Sequence, residues 1–403
     1  MAVRRLHKLR RFGVLPLLFA LLLPLGCRQI ETVRELLRDP TPHQEYLLGL
    51  WNADLASSAL GQDWILAAGE ALANPLLVEA PYQEAGFFPP EEAPSRGYRF
   101  PLLRGQRLVL TVTLETPAPA RVFVDLFRAP PDTLRGPVPV MSGEAGVEMV
   151  YEPRRSGEYV LRVQPELLRG GRFVVTIESG PALEFPVADR TTRSIGSRFG
   201  DSRAAGRRVH HGVDVFAPRG TPVLAAAEAY VSRVDTTPVG GRVIWLRDSA
   251  RNASLYYAHL DEPLVRQGAR VMPGDTIGLV GNTGNAITTP PHLHFGLYVR
   301  GEGPIDPWDY LYRSPVEMVP VEVELADLGK WVRVVRDGVH LREGPSLQGR
   351  VLVELPRDAA LRVYGGVGTW YRVRLPDGTA GFVSSSLTEK AERPVSSTSE
   401  EDR

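Results

Sequence analysis

The order of apolar and polar positions changes character several times along this chain. Residues 14–25 form an unbroken apolar run, VLPLLFALLLPL, preceded by Arg4, Arg5, Lys8, Arg10 and Arg11. That run is short for a bilayer span and has the charged-then-apolar order of an export signal. Between residues 43 and 73 the apolar positions Tyr46, Leu47, Leu50, Trp51 and Leu55, then Trp64, Ile65, Ala68 and Leu72, recur at three and four. This spacing predicts two short amphipathic helices broken near Gly61, too brief for a long coiled coil and suited to packing. The Pro-rich FFPPEEAPSRG that follows reads as a linker.

From residue 98 to 179 the period falls to two, in YRFPLL, RLVLTVTL, RVFVDLF, EYVLRV and RFVVTIE, with Gly and Pro turns between. An antiparallel β-sandwich is the expectation. The next stretch has short strands at VDVF, PVLAA, YVSRV, RVIWLR, ASLYYA, DTIGLVG and LHFGLYV, divided by Gly, Pro, Asn and Asp, and predicts a mostly antiparallel β-domain. The last module predicts five short strands in a small barrel. The fold class is therefore mainly β and multidomain. Its expected parts are a signal peptide at 1–26, a helical segment and linker at 27–94, a β-sandwich at 95–184, an antiparallel β-domain at 185–315, a small C-terminal β-barrel at 328–389 and a disordered tail at 390–403.

Composition narrows the picture. The 403 residues carry 47 basic and 47 acidic side chains, for a formal net charge of zero. No basic stripe invites nucleic acid. Lysine occurs only at 8, 330 and 390, an arginine bias that reads as genome composition. The single cysteine, Cys27, excludes an internal disulfide. It stands directly after the apolar run and Gly26, an arrangement that resembles a bacterial lipoprotein signal, although Pro24 occupies a position where such signals usually carry Leu. The resemblance implies acylation of Cys27, a membrane anchor and residence in the cell envelope. A plain cleaved signal peptide is the alternative, and either places the protein outside the cytoplasm.

Chemistry concentrates in one region. Five of the eight histidines fall between His210 and His294, in RRVHHGVD, LYYAHL and PPHLHF. Gathered with an aspartate and no cysteine, they point to a metal site, with zinc the natural candidate for imidazole and carboxylate ligands. On a strand, His292 and His294 send both rings to one face, roughly 7 Å apart. His210 and Asp214 would lie about 13 Å apart on a straight strand, so Gly212 between them is the expected bend.

HHGVD, YAHL and HLHF, in this order, resemble the lysostaphin-like (LytM-type) zinc metallopeptidases of bacterial cell walls. RFGD, APRGTPVLAA, GDTIGLVGNTGN and DPWDYL extend the resemblance over residues 195–311. It implies a compact β-domain with Zn2+ in an open groove, held by His210, Asp214 and His294, with His259 and His292 as catalytic histidines. His211 takes the variable position beside the ligand, and both it and His340 read as ordinary surface or core histidines. Pro290-Pro291 before His292 and Gly296 after Phe295 depart from the usual pattern without removing a ligand. HLREGPS, GTWYRVR and GTAGFVSSSL resemble the bacterial Src-homology-3-like domain that accompanies wall hydrolases. Tyr364, Trp370, Tyr371 and Phe382 are candidates for its groove or its core. The implied activity is endopeptidase cleavage of peptidoglycan. The alternative is a non-catalytic wall-binding scaffold or amidase activator on the same fold.

Overall fold

The computed structural model describes residues 39–393, apart from 117, 131–135, 204, 205 and 207. The stretch expected to be an export signal and Cys27 lie outside the described residues. No described helix is long and apolar enough to cross a membrane.

Two helices come first. Pro42–Asn52 (α1) begins at Thr41, which exchanges hydrogen bonds with Gln44 in a reciprocal cap, and Ala59–Ala73 (α2) begins at Ser58, whose hydroxyl accepts from the Gly61 N–H. The break between them therefore falls at residues 53–58. Gly61, the expected breaker, lies inside α2, because the serine cap fixes the helix start three residues earlier. Trp51 and Leu55, expected on the apolar face, are half exposed, whereas Leu50 and Trp64 are buried against Phe123 of the sandwich. Trp64 stacks on His43 with ring centroids 4.6 Å apart. The Gln164 amide donates to the Trp64 carbonyl at 2.8 Å, so its oxygen is left to accept from His43 Nε2, also at 2.8 Å.

The sandwich follows the alternation closely. Tyr82–Phe88 (β1), Gln106–Glu115 (β2) and Gly171–Pro181 (β3) pair in the order β1–β3–β2, with Met149–Tyr151 beyond β2. Leu108, Leu110 and Val112 of β2 point inward at every second residue. The opposing sheet runs Leu76–Leu77, Arg96–Leu102, Gly157–Pro165, Val122–Arg128, Val138–Glu144. β1 lies in the stretch expected to be helix and linker. The prolines at 89 and 90 follow that strand and do not interrupt it.

The third unit is one antiparallel sheet in which Ile195–Ser197 is followed by Val213–Phe216 (β4), Ala229–Thr237 (β5), Gly241–Asp248 (β6), Ala253–Pro263 (β7), Thr276–Val280 (β8) and His292–Val299 (β9) along the chain. In space the order is Ile195–Ser197, β4, β9, β7, β6, β5, and β8 pairs the far end of β7. Val213, Val215, Leu255, Tyr257, Leu293, Phe295 and Leu297 share one buried core. Ion pairs join this unit to the sandwich: Arg251 reaches Glu152 at 2.6 Å, and Arg104 reaches Glu302 at 2.6 Å.

The C-terminal module holds seven strands, including Ala360–Val367 (β10), Trp370–Arg374 (β11) and Ala380–Ser384 (β12). It does not close into a separate barrel among the described pairings. β10 pairs with β1, placing both units in one 11-stranded sheet. Gly365 permits that approach, since a Cβ there would sit 2.4 Å from the Glu84 carboxylate and 3.2 Å from the Ala85 carbonyl oxygen of β1. Tyr364, Tyr371 and Phe382 are buried, and Trp370 is partly so. Phe382 and Trp370 pack with the sandwich core, and Tyr364 lies beneath the guanidinium groups of Arg374, Arg362 and Arg96. These aromatics serve packing, and Tyr371 also borders a cavity of about 340 Å³ beside Asp327 and Lys390. Lys390 and Ala391, expected in the disordered tail, pair in a strand with Trp331 and Val332, and residues 394–403 lie outside the described residues.

At the junction Glu84 is fully buried and meets Arg372 at 3.2 Å, while Tyr82 donates to its other oxygen at 2.9 Å. Removing one member of such a pair strands a buried charge at a cost of about 3–5 kcal/mol. Arg372→Met is expected to lower the unfolding transitions of the sandwich and the C-terminal module together in calorimetry. A shift in only one of them would mean that the two units are thermodynamically separate.

Burial, ahead of the nearby Arg162 charge, lowers His43 from 6.5 to about 4. The folded state thus holds it neutral, while the unfolded state takes up a proton below about pH 6.5. Stability is then complete above pH 6.5 and falls as pH drops towards 4, by about 3 kcal/mol at the limit. In His43→Gln, chemical denaturation across pH 4–7 should show a shallower fall than in the unsubstituted chain. An unchanged slope would locate the titration elsewhere.

Candidate metal centre

Strand register assembles the site. Asp214 on β4 lies opposite His294 on β9, which in turn lies opposite Ala258 on β7, and one step along Phe216 lies opposite His292. Directly opposed residues share a face, and alternation sends Val213, Val215, Leu293, Phe295 and Tyr257 to the core on the other side. The four residues Asp214, Phe216, His292 and His294 thus reach one cleft without any irregular backbone in β4 or β9.

His210 comes from outside the sheet. Its backbone is clamped by the turn at residues 198–201: the His210 N–H donates to the Asp201 carbonyl at 2.9 Å, and the Gly200 N–H donates to the His210 carbonyl at 2.9 Å. Gly212 then lets the chain pass beneath a ring, because a Cβ there would sit 2.3 Å from the Phe295 carbonyl oxygen and 2.9 Å from the His294 ring. The expectation of a bend at Gly212 thus has a second cause, close approach to the neighbouring histidine.

Three side-chain atoms converge. His210 Nε2 lies 3.0 Å from Asp214 Oδ1 and 2.9 Å from His294 Nδ1, and His294 Nδ1 lies 3.0 Å from the same carboxylate oxygen. His210 Nδ1 is 2.7 Å from the Arg198 carbonyl oxygen. A carbonyl only accepts, so Nδ1 carries the ring proton and the Nε2 of the neutral ring is a bare lone pair. That lone pair faces a carboxylate oxygen and a second imidazole nitrogen, an arrangement that calls for a cation at the centre. Atoms each about 2.1 Å from a tetrahedral zinc lie about 3.4 Å from one another, so the observed triangle needs only a small expansion to fit one. Asp214 is the strongest acid of the set. Burial alone would raise it, but the two imidazoles beside it, His210 and His294, outweigh that and hold it well below the usual carboxylate range. Burial likewise lowers His294.

The other two histidines are held by their Nδ1 atoms. His259 Nδ1 donates to the Thr283 carbonyl at 2.9 Å, and His292 Nδ1 donates to the Pro290 carbonyl at 2.9 Å. Pro290, a departure from the expected pattern, therefore supplies an orienting acceptor. Each ring keeps a bare Nε2, and the two centroids are 5.0 Å apart. Burial, with smaller contributions from the neighbouring histidines, lowers His259 to about 4. His259 also adopts φ +63°, an uncommon left-handed backbone for a non-glycine residue, fixed by the bond from its N–H to the Gly240 carbonyl at 2.7 Å.

These groups line a cleft of about 630 Å³. His211 is at its edge, exposed and outside the donor triangle, and His340 is remote, with its Nδ1 3.4 Å from an Arg342 nitrogen. Sequence reasoning passed over Tyr256 and Asn285, which also line the cleft. Tyr256 was detectable in LYYAHL, where period two puts it on the face of Ala258 and sends Tyr257 to the core. Asn285 sits in a 3-10 turn and left no periodic trace.

Residues 208–307 match the family model described as Peptidase family M23, and residues 337–389 match that described as Bacterial SH3 domain. The L-Ala–D-Glu endopeptidase of Bacillus subtilis (strain 168) is 38% identical over 138 residues, covering 32% of this chain and 42% of that protein. The peptidoglycan DD-endopeptidase ShyC of Vibrio cholerae serotype O1 is 38% identical over 94 residues, covering 23% of this chain and 21% of that protein. The catalytic domain of the antimicrobial peptidase lysostaphin from Staphylococcus simulans is 32% identical, with a TM-score of 0.26 over 28% of this chain and 86% of that one. The chain spans less than half the length of these two curated relatives. The donor triangle and both Nδ1-anchored histidines fall within the first matched segment, and the chain therefore carries a family M23 peptidase domain followed by a bacterial SH3 domain.

Proposed function

We propose that this protein is an exported zinc endopeptidase that hydrolyses peptide bonds in peptidoglycan. The observation that carries the reading is the triangle of His210 Nε2, Asp214 Oδ1 and His294 Nδ1 beside two imidazoles with bare Nε2 atoms. The names of the similar proteins, an L-Ala–D-Glu endopeptidase and a peptidoglycan DD-endopeptidase, support the substrate class. The SH3 domain supports attachment to the wall.

His210, Asp214 and His294 would hold the ion. Zinc in such a site supplies Lewis acidity towards the scissile carbonyl and acidifies water. The remaining work falls to this chain's own groups. His259, neutral at pH 7 because burial holds it near 4, accepts a proton from the attacking water at Nε2 while the water oxygen bonds to the carbonyl carbon. The same burial destabilises the resulting imidazolium, which favours return of the proton to the departing amine as the C–N bond breaks. His292 stands beside His259 with Nδ1 committed to the Pro290 carbonyl, so its Nε2 can donate to the carbonyl oxygen, as negative charge develops there, only once that nitrogen has taken up a proton. The Thr283 carbonyl keeps the His259 ring in the tautomer that a base at Nε2 requires, and the Pro290 carbonyl orients the His292 ring.

Labelled peptidoglycan incubated with the purified protein, with and without a chelator, tests the reading, with mass analysis of released fragments. Chelator-sensitive release is expected. Binding without release would favour a non-catalytic scaffold. His294→Ala should leave well under one zinc per chain after dialysis, while His292→Ala should keep its zinc and lose activity by about 10² to 10⁴. The reverse pattern of zinc retention would overturn the assignment of the pair.

Anchoring by acylation of Cys27 belongs to the same proposal and rests on the apolar run and Gly26 before it. Cys27→Ser should move the protein from the membrane fraction to the soluble one. A variant still bound to membrane would leave no role for the acyl group.

A further inference from the structure

A second groove, of about 740 Å³, lies across the Ile195–Ser197 strand from the cleft. Gly196 and Ser197 line the cleft, whereas Ile195 and Arg198 line this groove, so the strand forms a wall common to both. Four arginines line the groove, Arg190, Arg193, Arg198 and Arg313, with Glu184 as the only carboxylate among its lining residues. None of the four guanidinium groups has a carboxylate partner among the described residues, and only the Arg198 backbone N–H reaches a carboxylate, that of Asp201 at 2.8 Å. Arg190 Nε is buried and has no hydrogen-bond partner. The contrast with Arg104, Arg162, Arg251 and Arg372, each in an ion pair, is direct. An aromatic platform completes the groove: Trp308 and Tyr312 stack at 5.7 Å, and the Arg198 guanidinium lies 3.9 Å above the Trp308 ring centroid.

We infer that this groove is a subsite for carboxylate groups on the same polymer whose peptide bond lies in the cleft. The inference rests on the proposed function for the identity of that polymer. Guanidinium groups are matched to carboxylates in shape and charge, and an aromatic pair suits the apolar faces of a chain carrying them. Position adds to the argument. The Arg198 carbonyl accepts the His210 Nδ1 proton at 2.7 Å, so a ligand that orders Arg198 also orders one of the proposed metal ligands. A polymer bound across the wall would therefore engage the groove and align the centre together.

The test uses binding, read on a His292→Ala background so that cleavage does not intervene. Poly-L-glutamate serves as the soluble probe and insoluble peptidoglycan as the polymer, each with and without Arg193→Gln/Arg313→Gln. Both substituted residues are exposed, and circular dichroism controls for folding. Expected is about 10-fold weaker binding of both probes in the double variant, recovery in Arg193→Lys/Arg313→Lys, and a steep loss of binding by the unsubstituted groove as salt rises. Peptidoglycan with its carboxyl groups amidated should sediment the chain less well than native polymer. Equal binding by the double Gln variant, or equal sedimentation with amidated polymer, overturns the inference. Tighter binding of inorganic polyphosphate than of poly-L-glutamate, with the same arginine dependence, overturns the carboxylate assignment. Failure of the unsubstituted protein to release fragments from peptidoglycan would sink the proposed function and leave the poly-L-glutamate result standing on its own.

Discussion

Everything in the cleft depends on one electrostatic constraint: a carboxylate oxygen and two imidazole nitrogens converge within about 3 Å of one another, largely shielded from water. Such a cluster repels itself unless a proton or a metal ion sits among its lone pairs. The fold maintains it by backbone means. Register sets Asp214 against His294, the turn at residues 198–201 clamps His210, and Gly212 removes the side chain that would push the His294 ring aside. Carbonyl oxygens of Arg198, Thr283 and Pro290 then fix the tautomers of three histidines. These acceptors are main-chain atoms, so the site's proton bookkeeping is tied to strand and loop geometry more than to neighbouring side chains.

The same dependence on the sheet governs the rest of the molecule. β1, from before the sandwich in sequence, bridges the sandwich to the C-terminal module, and its Glu84 is buried at the seam with Arg372. The sandwich also grips the peptidase unit through Arg104 and Arg251. The accessory units are thus joined to the site-bearing sheet by specific ion pairs and a shared ladder. This gives the C-terminal module a defined position relative to the cleft.

Period and motif were legible where a residue's role is local. The two-residue alternation gave the sandwich strands, and HHGVD with HLHF gave the residues that now form the donor triangle. Long-range facts left no local mark. FFPPEEAPSRG looked like a linker because its prolines dominate the composition, yet the strand that ends at Phe88 pairs with residues more than 270 positions away. Gly61 looked like a helix break because glycine propensity is low, but the Ser58 cap decided the boundary. Phe382 and Trp370 of the C-terminal module were ambiguous between groove and core, and contact with the sandwich, invisible to any window, resolved these two. Nor could spacing tell that His210 turns Nε2 to the cluster while His294 turns Nδ1 to it.

Charge illustrates the limit most clearly. A formal net charge of zero and a bias towards arginine describe the chain as electrically bland. In space two groups of arginines stand apart from the rest. One is spent on joints, where Arg104, Arg162, Arg251 and Arg372 each meet a carboxylate on another strand or unit. The other gathers around Trp308 with no carboxylate partner, one wall away from the cleft. The planar fork of arginine suits both uses, pairing with a carboxylate within the chain or awaiting one from outside. The balance of acids and bases therefore says little about where the field is strong.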